Sequence, residues 1–502
     1  MTRHRDGTPA RRARGRMARP LVVLAALAAA FGLAGGAAGL WVLHDQGIAP
    51  RTLAPYIDKR SSGHNALITG TGDWFAAALL RLDRGAARPY ALPGLALGAQ
   101  AQGPASPAGR VRMVANAEEL RAAMADAAPG DVITLLPGTY LVRKQPLPAR
   151  RPGSASQPIV VRAEQPGSVL IQVGTRVGVE VAAPYWRFEN LALQGGCGRP
   201  GDCEHAFHVF GAGSHFVALN NTLTDFNAHF KINGLRGDFP DHGRIEANTI
   251  RNEAPRRTRS PVTPIDLVAA SDWVVRGNLI ADFVKLGGDG VSYGAFAKGA
   301  ALRTLFERNA IVCEQRLQGL PGQRVGLSFG GGGTGPAYCR DGRCITEHED
   351  GIMRNNLIAS CSDVGIYVNS GARSRIVHNT LLDTAGIQVR FPTSSADVEG
   401  NLVDGVIRTR NDGQLRAADN LATPVALLYA GMHRQRKLFA DPAQLDLRWD
   451  DAPPRREGAA PHGPDLCGIA RPARPAYGAF EDFAACANPR FTRSAASRSS
   501  SQ

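Results

Sequence analysis

The sequence predicts an all-β solenoid, a parallel β-helix wound one coil per repeat, behind an N-terminal transmembrane helix. Three observations predict it. First, a short unit with an apolar residue two or three places before an asparagine returns at Asn190, Asn221, Asn248, Asn278, Asn309, Asn356, Asn379, Asn401 and Asn420. The spacings are 31, 27, 30, 31, 47, 23, 22 and 19 residues, in the range of solenoids, propellers and arrays. Second, the units are rich in β-branched residues, lack a helical period, and are too short for four-stranded propeller blades. Third, glycine is abundant (57) and aromatics sparse (6%), which suits short strands and tight turns. Asparagines stacked coil on coil hydrogen-bond up and down a ladder, a structural role that needs no catalytic explanation.

In chain order, residues 1–19 hold seven Arg and one Asp and read as a basic cytoplasmic tail. Residues 20–43, "PLVVLAALAAAFGLAGGAAGLWVL", carry no charge, long enough for a single-pass signal anchor. The arginines stay on the cytoplasmic side, and the bulk of the chain is periplasmic or extracytoplasmic. A cleaved secretory signal is the alternative. Residues 44–110 read as an irregular stalk with one short helical candidate, "DWFAAALLRLDRG". The β-helix is expected over 111–425, opening on an amphipathic helix, a Pro-Gly break and the strands within "DVITLLPGTYLV", "QPIVVRAE" and "VLIQV". Residues 426–502 read as a last coil, a loosely packed cap and a disordered tail. Net charge is +14, but +6 of it lies in the first 19 residues, so much of the basicity concerns topology.

Eight cysteines, an even number, agree with export. Cys197/Cys203, Cys339/Cys344 and Cys467/Cys486 are candidate local disulfides. Cys313 and Cys361 follow ladder asparagines by four and five residues, so they stack one coil apart as a disulfide or a buried pair. Zinc at "CRDGRC" lacks a second Cys or His pair.

A second frame precedes each asparagine unit: "GAFAK", "GLSFG", "GIYVN" and "GIQVR", with "HAFHVF", "NAHFK" and "PIDLV" fitting more loosely. Alternation along a strand puts positions three and five outside. One expected outward column reads His208, His229, Asp266, Phe296, Ser328, Tyr367, Gln388. The other reads Phe210, Lys231, Val268, Lys298, Gly330, Asn369, Arg390. A flat strip of His, Lys, Tyr, Asn and Arg, walled by the long insertion with "SFGGGGTGPAYCRDGRCITEHED", suits a linear polymer. "EHED" is a metal-ligand candidate weighed against a solvated loop. "GGGGTG" lacks the Lys-Ser/Thr ending of a phosphate loop.

The entry "GDVITLLPGTY", then "SQPIVVRAEQPGSVLI" and "WRFENLAL", resemble right-handed parallel β-helix proteins of the pectate-lyase-like superfamily, nearest in look to the chondroitinase B and alginate lyase branch. The resemblance covers residues 111–425. It implies an acidic polysaccharide as partner, rather than nucleic acid, and β-elimination as the reaction. In that branch a lysine on the strand face is the base and an arginine from the next coil helps as acid. Lys298 matches the lysine by position; the next coil offers Gly330, and the next arginine in the column is Arg390. Tyr367 is the alternative acid, and His229 and Lys231 are alternative bases. Arg390, Asn369, His208, Asp266, Ser328, Phe296 and Gln388 are the expected substrate contacts. No cofactor is implied firmly. Calcium is possible, although no equivalent of the branch's acidic calcium cluster is found. A non-catalytic glycan-binding or envelope-scaffold protein is the rival reading. A glycoside hydrolase is third, and it would want paired carboxylates where Asp266 stands alone.

Overall fold

The computed structural model describes residues 36–486, apart from 37, 93, 104–107, 332 and 458–462. The chain divides into two units, Met1–Ile48 and Ala49–Gln502. In the first, residues 38–45 are helical; the basic tail and most of the expected membrane helix lie outside the described residues. Among the described residues no helix is long and apolar enough to cross a membrane.

In the second unit three parallel sheets run the length of a solenoid. The first has twelve strands, from Arg110–Val114 to Gln414–Ala418, and the second eleven, from Gly138–Val142 to Leu421–Ala422. The third has ten, from Leu147–Ala149 to Val406–Arg410. Each strand pairs with its equivalent one coil away, so one turn of chain contributes one strand to each sheet. Inward positions fill the coil: Phe188, Phe207, Phe216 and Phe230 pack with ring centroids 5.0–6.3 Å apart. The helix Ala117–Ala125 closes the open end, burying Leu120, Ala123 and Met124, and is capped by Asn116 Oδ1 accepting from Glu119 N.

The turn between the first and second sheets carries the asparagine ladder. From Asn221 to Asn420, each Nδ2 donates to Oδ1 of the next asparagine at 2.9–3.0 Å. The same Oδ1 atoms accept from the preceding asparagine's backbone N–H, as Asn309 Oδ1 does from Asn278. Asn190 is not a rung. Leu191 stands at that place, and its N–H donates to Asn221 Oδ1. Asn190 instead begins a neighbouring column of left-handed residues with Asn220, Ala247, Gly277, Arg308, Asn355, His378, Gly400 and Asp419. That backbone corner turns the chain from one sheet into the next.

Residues 44–110 are not an irregular stalk. Helices Pro50–Ser61 and Ala66–Arg84 form a hairpin fastened to the solenoid by buried ions. Arg51 pairs with Asp83 (2.6 Å) and Asp383 (2.9 Å), and Arg84 pairs with Asp383 (2.9 Å) and Glu314. Residues 98–100 then reach the corner column, where Gly98 N–H donates to Gly277 O and Gln100 N–H donates to Asn220 Oδ1 at 2.6 Å. The C-terminal segment is also packed rather than loose. "LFADPAQLDLRWDD" makes an antiparallel pair, Phe439–Asp441 with Asp446–Trp449, instead of a last coil. Phe439, Leu447, Leu466 and Phe480 join Tyr90, Leu95 and Leu97 over the outer face of the second sheet, on Ala310, Val312, Leu357 and Leu402. Farther along, Arg471 donates to Asn355 Oδ1 (2.7 Å) and Arg456 to His378 Nε2 (2.9 Å). Both segments therefore cover apolar strand faces and satisfy polar groups at the ladder's corner. Residues 487–502 lie outside the described residues.

All eight cysteines are paired, as Cys197–Cys203, Cys313–Cys361, Cys339–Cys344 and Cys467–Cys486. The pairing leaves no thiolate at "CRDGRC" for zinc.

Candidate active site

The third sheet carries the strip. Its register sets His208 beside Lys231, then Asp266, Phe296, Ser328, Tyr367, Gln388 and Arg408 in successive coils. A second column two residues on reads Phe210, Asn233, Val268, Lys298, and later Asn369, Arg390 and Arg410. The expected columns hold from Asp266 onward. One strand is shifted by two: Lys231 takes the place given to His229, and Asn233 that given to Lys231. The reason is that "NAHFKIN" continues as strand to Asn233, one frame longer than "NAHFK".

His229, two residues before Lys231, is fully buried. It meets Arg251 O at 3.2 Å and the Phe226 ring edge-on, and burial pushes its pKa down to about 3. A ring with no exposed surface cannot reach a polymer, so His229 does not stand on the open strip. Ser328 is also fully buried; its hydroxyl turns to Gly330 O. Asp266 is 3% exposed and holds Lys231 Nζ at 2.9 Å. That ion pair engages the Lys231 head group, which fits charge balance better than proton abstraction. Phe296 is covered by its neighbours, Tyr293 edge-on at 5.5 Å and Lys298 Nζ 4.4 Å from its ring centre.

What remains on the face is compact. Among the described residues Lys298 Nζ has no carboxylate within ion-pair distance, and its side chain lies between the Phe296 ring and the glycine-rich loop. A Cβ on Gly331 would come within 3.3 Å of Lys298 Cδ. In the coil after Lys298, Gly330 has φ +73° and a Cβ there would sit 1.8 Å from Asn369 O. No arginine fits at that point. Two coils farther on, Arg390 Nη1 donates to Tyr367 Oη at 3.2 Å, and Arg390 Nε to Asn411 Oδ1 at 2.9 Å. The guanidinium occupies an acceptor lone pair of the phenol, which leaves the phenolic O–H as a donor. Successive coils stand about 4.8 Å apart, so Lys298 and Tyr367 are two rungs, on the order of 10 Å, apart at the backbone. Both side chains are long enough to converge on one sugar ring.

The other end of the strip holds His208, whose Nε2 meets Asn233 Oδ1 at 2.8 Å. Burial and then the Lys231 ammonium lower its pKa, and burial carries the neighbouring His205 down to about 4. Asn369 and Gln388 are on the strip but mostly covered, and Arg408 donates to Gln388 Oε1 at 2.8 Å. Arg408 and Arg410 were legible by continuing the frame through "GVIRTR", and Tyr293 by reading one residue upstream of "GAFAK".

The long insertion walls the strip as expected. Arg340, inside the Cys339–Cys344 loop, forks onto Asp241 at 2.7 Å twice and lies over Phe239. "EHED" is structural. Glu347 accepts from Thr334, His348 is buried against Phe329, and Glu349 and Asp350 are held by Arg373. Among the described residues no three His, Cys, Asp or Glu side chains cluster to hold a metal ion. The side chains present therefore do not fit a calcium site of the kind the resemblance allows.

The family model for chondroitinase B matches residues 114–235, which end within the strip's first strands. No curated protein matches the chain. Pectate lyase Pel9A is similar in structure, at 15% identity and TM-score 0.50, over 75% of this chain and 97% of that one. An alginate lyase from Paenibacillus sp. str. FPU-7 is 16% identical over 63% of this chain and 96% of that one, with TM-score 0.39. A mannuronic acid specific polysaccharide family 6 lyase from human gut microbiota is 14% identical over 66% and 85%, with TM-score 0.41. The fold is thus a parallel β-helix similar to that of pectate lyase Pel9A, and its first coils match the chondroitinase B family model.

Proposed function

We propose that the protein is a polysaccharide lyase that cleaves an acidic, uronate-containing polysaccharide by β-elimination on the third sheet. One observation carries the reading: among the described residues Lys298 stands without a carboxylate partner, on the same face as the Arg390–Tyr367 pair. The Lys298 amine takes the proton from the carbon α to the uronate carboxylate. The electron pair forms the new carbon–carbon double bond, the β carbon–oxygen bond breaks, and Tyr367 donates its proton to the leaving oxygen. Arg390, beside Tyr367, faces the developing negative charge. In this reading Lys231, neutralised by Asp266, and His208 bind the chain farther along the strip. Residues 20–43 anchor the protein in the inner membrane with the β-helix outside the cytoplasm.

A non-catalytic glycan-binding role is the second reading. Gly330 favours it, because it denies the coil after Lys298 the arginine that the resemblance supplies. Incubating the protein with alginate, pectate, chondroitin and other uronate polymers separates the two. New ultraviolet absorbance from an unsaturated uronate supports the lyase; binding to a uronate polymer without absorbance supports the scaffold.

A further inference from the structure

The helix Ala66–Arg84 has its apolar face outward. Its inner face buries Gly72, Ala76 and Asp83; Asp83 pairs with Arg51 of the partner helix, and Arg84 pairs with Asp383 and Glu314 of the solenoid. The opposite face exposes Leu67 (79%), Trp74 (65%), Phe75 (50%) and Leu82 (42%), with Ile68 beside them. Leu67 and Trp74 stand seven residues apart, as do Phe75 and Leu82, which puts the four side chains on one helical stripe. A helix packed on a soluble core has the reverse arrangement, because apolar surface drives burial and charge resists it. The partner helix, Pro50–Ser61, exposes Tyr56 with Arg60 over its ring at 5.3 Å and Lys59 alongside.

We propose that this helical hairpin lies on a bilayer surface, with Leu67, Trp74 and Phe75 in the headgroup–acyl boundary and Lys59, Arg60 and Arg81 facing anionic headgroups. Lipid is favoured over a second copy by what precedes the hairpin. Six residues of chain separate Leu43, the last of the 24-residue uncharged run, from Pro50. Fully extended, that link spans no more than about 25 Å. Trp and Tyr beside Lys and Arg is the composition of a membrane interface. Asp73, Arg81 and Asp83 keep the 19-residue helix from crossing, so it lies on the membrane rather than through it. The proposal rests in part on the anchor reading, but the hairpin face is a separate binding surface.

The test uses the full chain in anionic vesicles with brominated acyl chains, in a Trp41→Phe background. Trp186 and Trp273 are buried and Trp449 is half-buried, so the difference between Trp41→Phe and Trp41→Phe/Trp74→Phe reads Trp74. Loss of most Trp74 emission in brominated relative to plain vesicles is expected. Leu67→Glu/Phe75→Glu should restore it. Emission unchanged by bromine overturns the proposal, and so does emission shifted to the blue equally in both vesicles, which marks burial against a second copy. Carbonate extraction reads the anchor separately. Chain that is quenched but released by carbonate keeps the hairpin surface and removes the anchor. Chain that is retained but unquenched does the reverse.

Discussion

Tyr367 and Arg390 make the residue-scale account specific. Removing the phenolic oxygen in Tyr367→Phe deletes the proton donor and leaves packing against Val325 and Val364 intact. Turnover should fall by about 10²–10⁴-fold with little change in KM, as read by steady-state kinetics on the substrate polymer. Arg390→Ala loses a carboxylate contact and the partner of Tyr367, so KM should rise about tenfold or more and kcat should fall with it. Buried histidines set a different expectation. Burial pushes His229 and His348 down to about 3. Their unfolded forms take a proton below about 6.5, which the folded forms refuse, so stability is lost as pH falls from about 6.5 towards 3. At pH 5 each costs about 2 kcal/mol relative to neutral pH, and denaturant titrations of His348→Asn should show a shallower slope on the acid side. At this scale the sequence placed Lys298, Tyr367 and Arg390 in their columns on the third sheet, because strand alternation is a local rule. It misplaced His229 and Lys231 because nothing local marks where that strand ends. It also missed that Ser328 turns away, since the Gly330 loop that captures it is a tertiary feature.

Elements carry the stability. Each internal ladder asparagine holds two coils, so Asn309→Ala strips Asn278 of two acceptor contacts and removes the side-chain donor to Val275 O and to Asn356 Oδ1, which keeps only the backbone N–H of residue 309. The expected cost is about 3 kcal/mol, measured by denaturant unfolding, against about 1 kcal/mol for Asn420→Ala at the open end of the stack. An equal cost at both positions would show that the ladder is not what holds successive coils. The buried Cys313–Cys361 bond joins adjacent coils, and Cys313→Ala/Cys361→Ala should cost about 3 kcal/mol by the same measurement. The ladder, the coil frame and all four cysteine pairings were legible because each repeats or is local. The packed N- and C-terminal segments were not read, although a signal was present. Second-sheet strands such as Leu279–Ala281, Ala310–Val312 and Leu357–Ala359 are apolar on both faces. A strand with two apolar faces needs a cover on each side. Tyr90, Leu95, Leu97 and Phe480 supply it from segments whose own composition gives no period.

At the scale of the whole molecule, a rigid solenoid presents one polar face between a disulfide-closed wall and a basic end at Arg390, Arg408 and Arg410. The flanking segments cover the second sheet and leave the third open to a polymer. Fold and face are properties of the repeat and can be read from it. The substrate is not, because it depends on how the insertion 330–347 leans over Lys298 and on which sugars that gap admits. The most direct test of the central claim sets the full chain and Lys298→Ala side by side on each uronate polymer, followed by ultraviolet absorbance. The account predicts new absorbance for the natural chain on one polymer and none for Lys298→Ala, with binding and the unfolding midpoint retained, since a half-exposed strand side chain contributes within about 0.5 kcal/mol. Undiminished elimination by Lys298→Ala would contradict it.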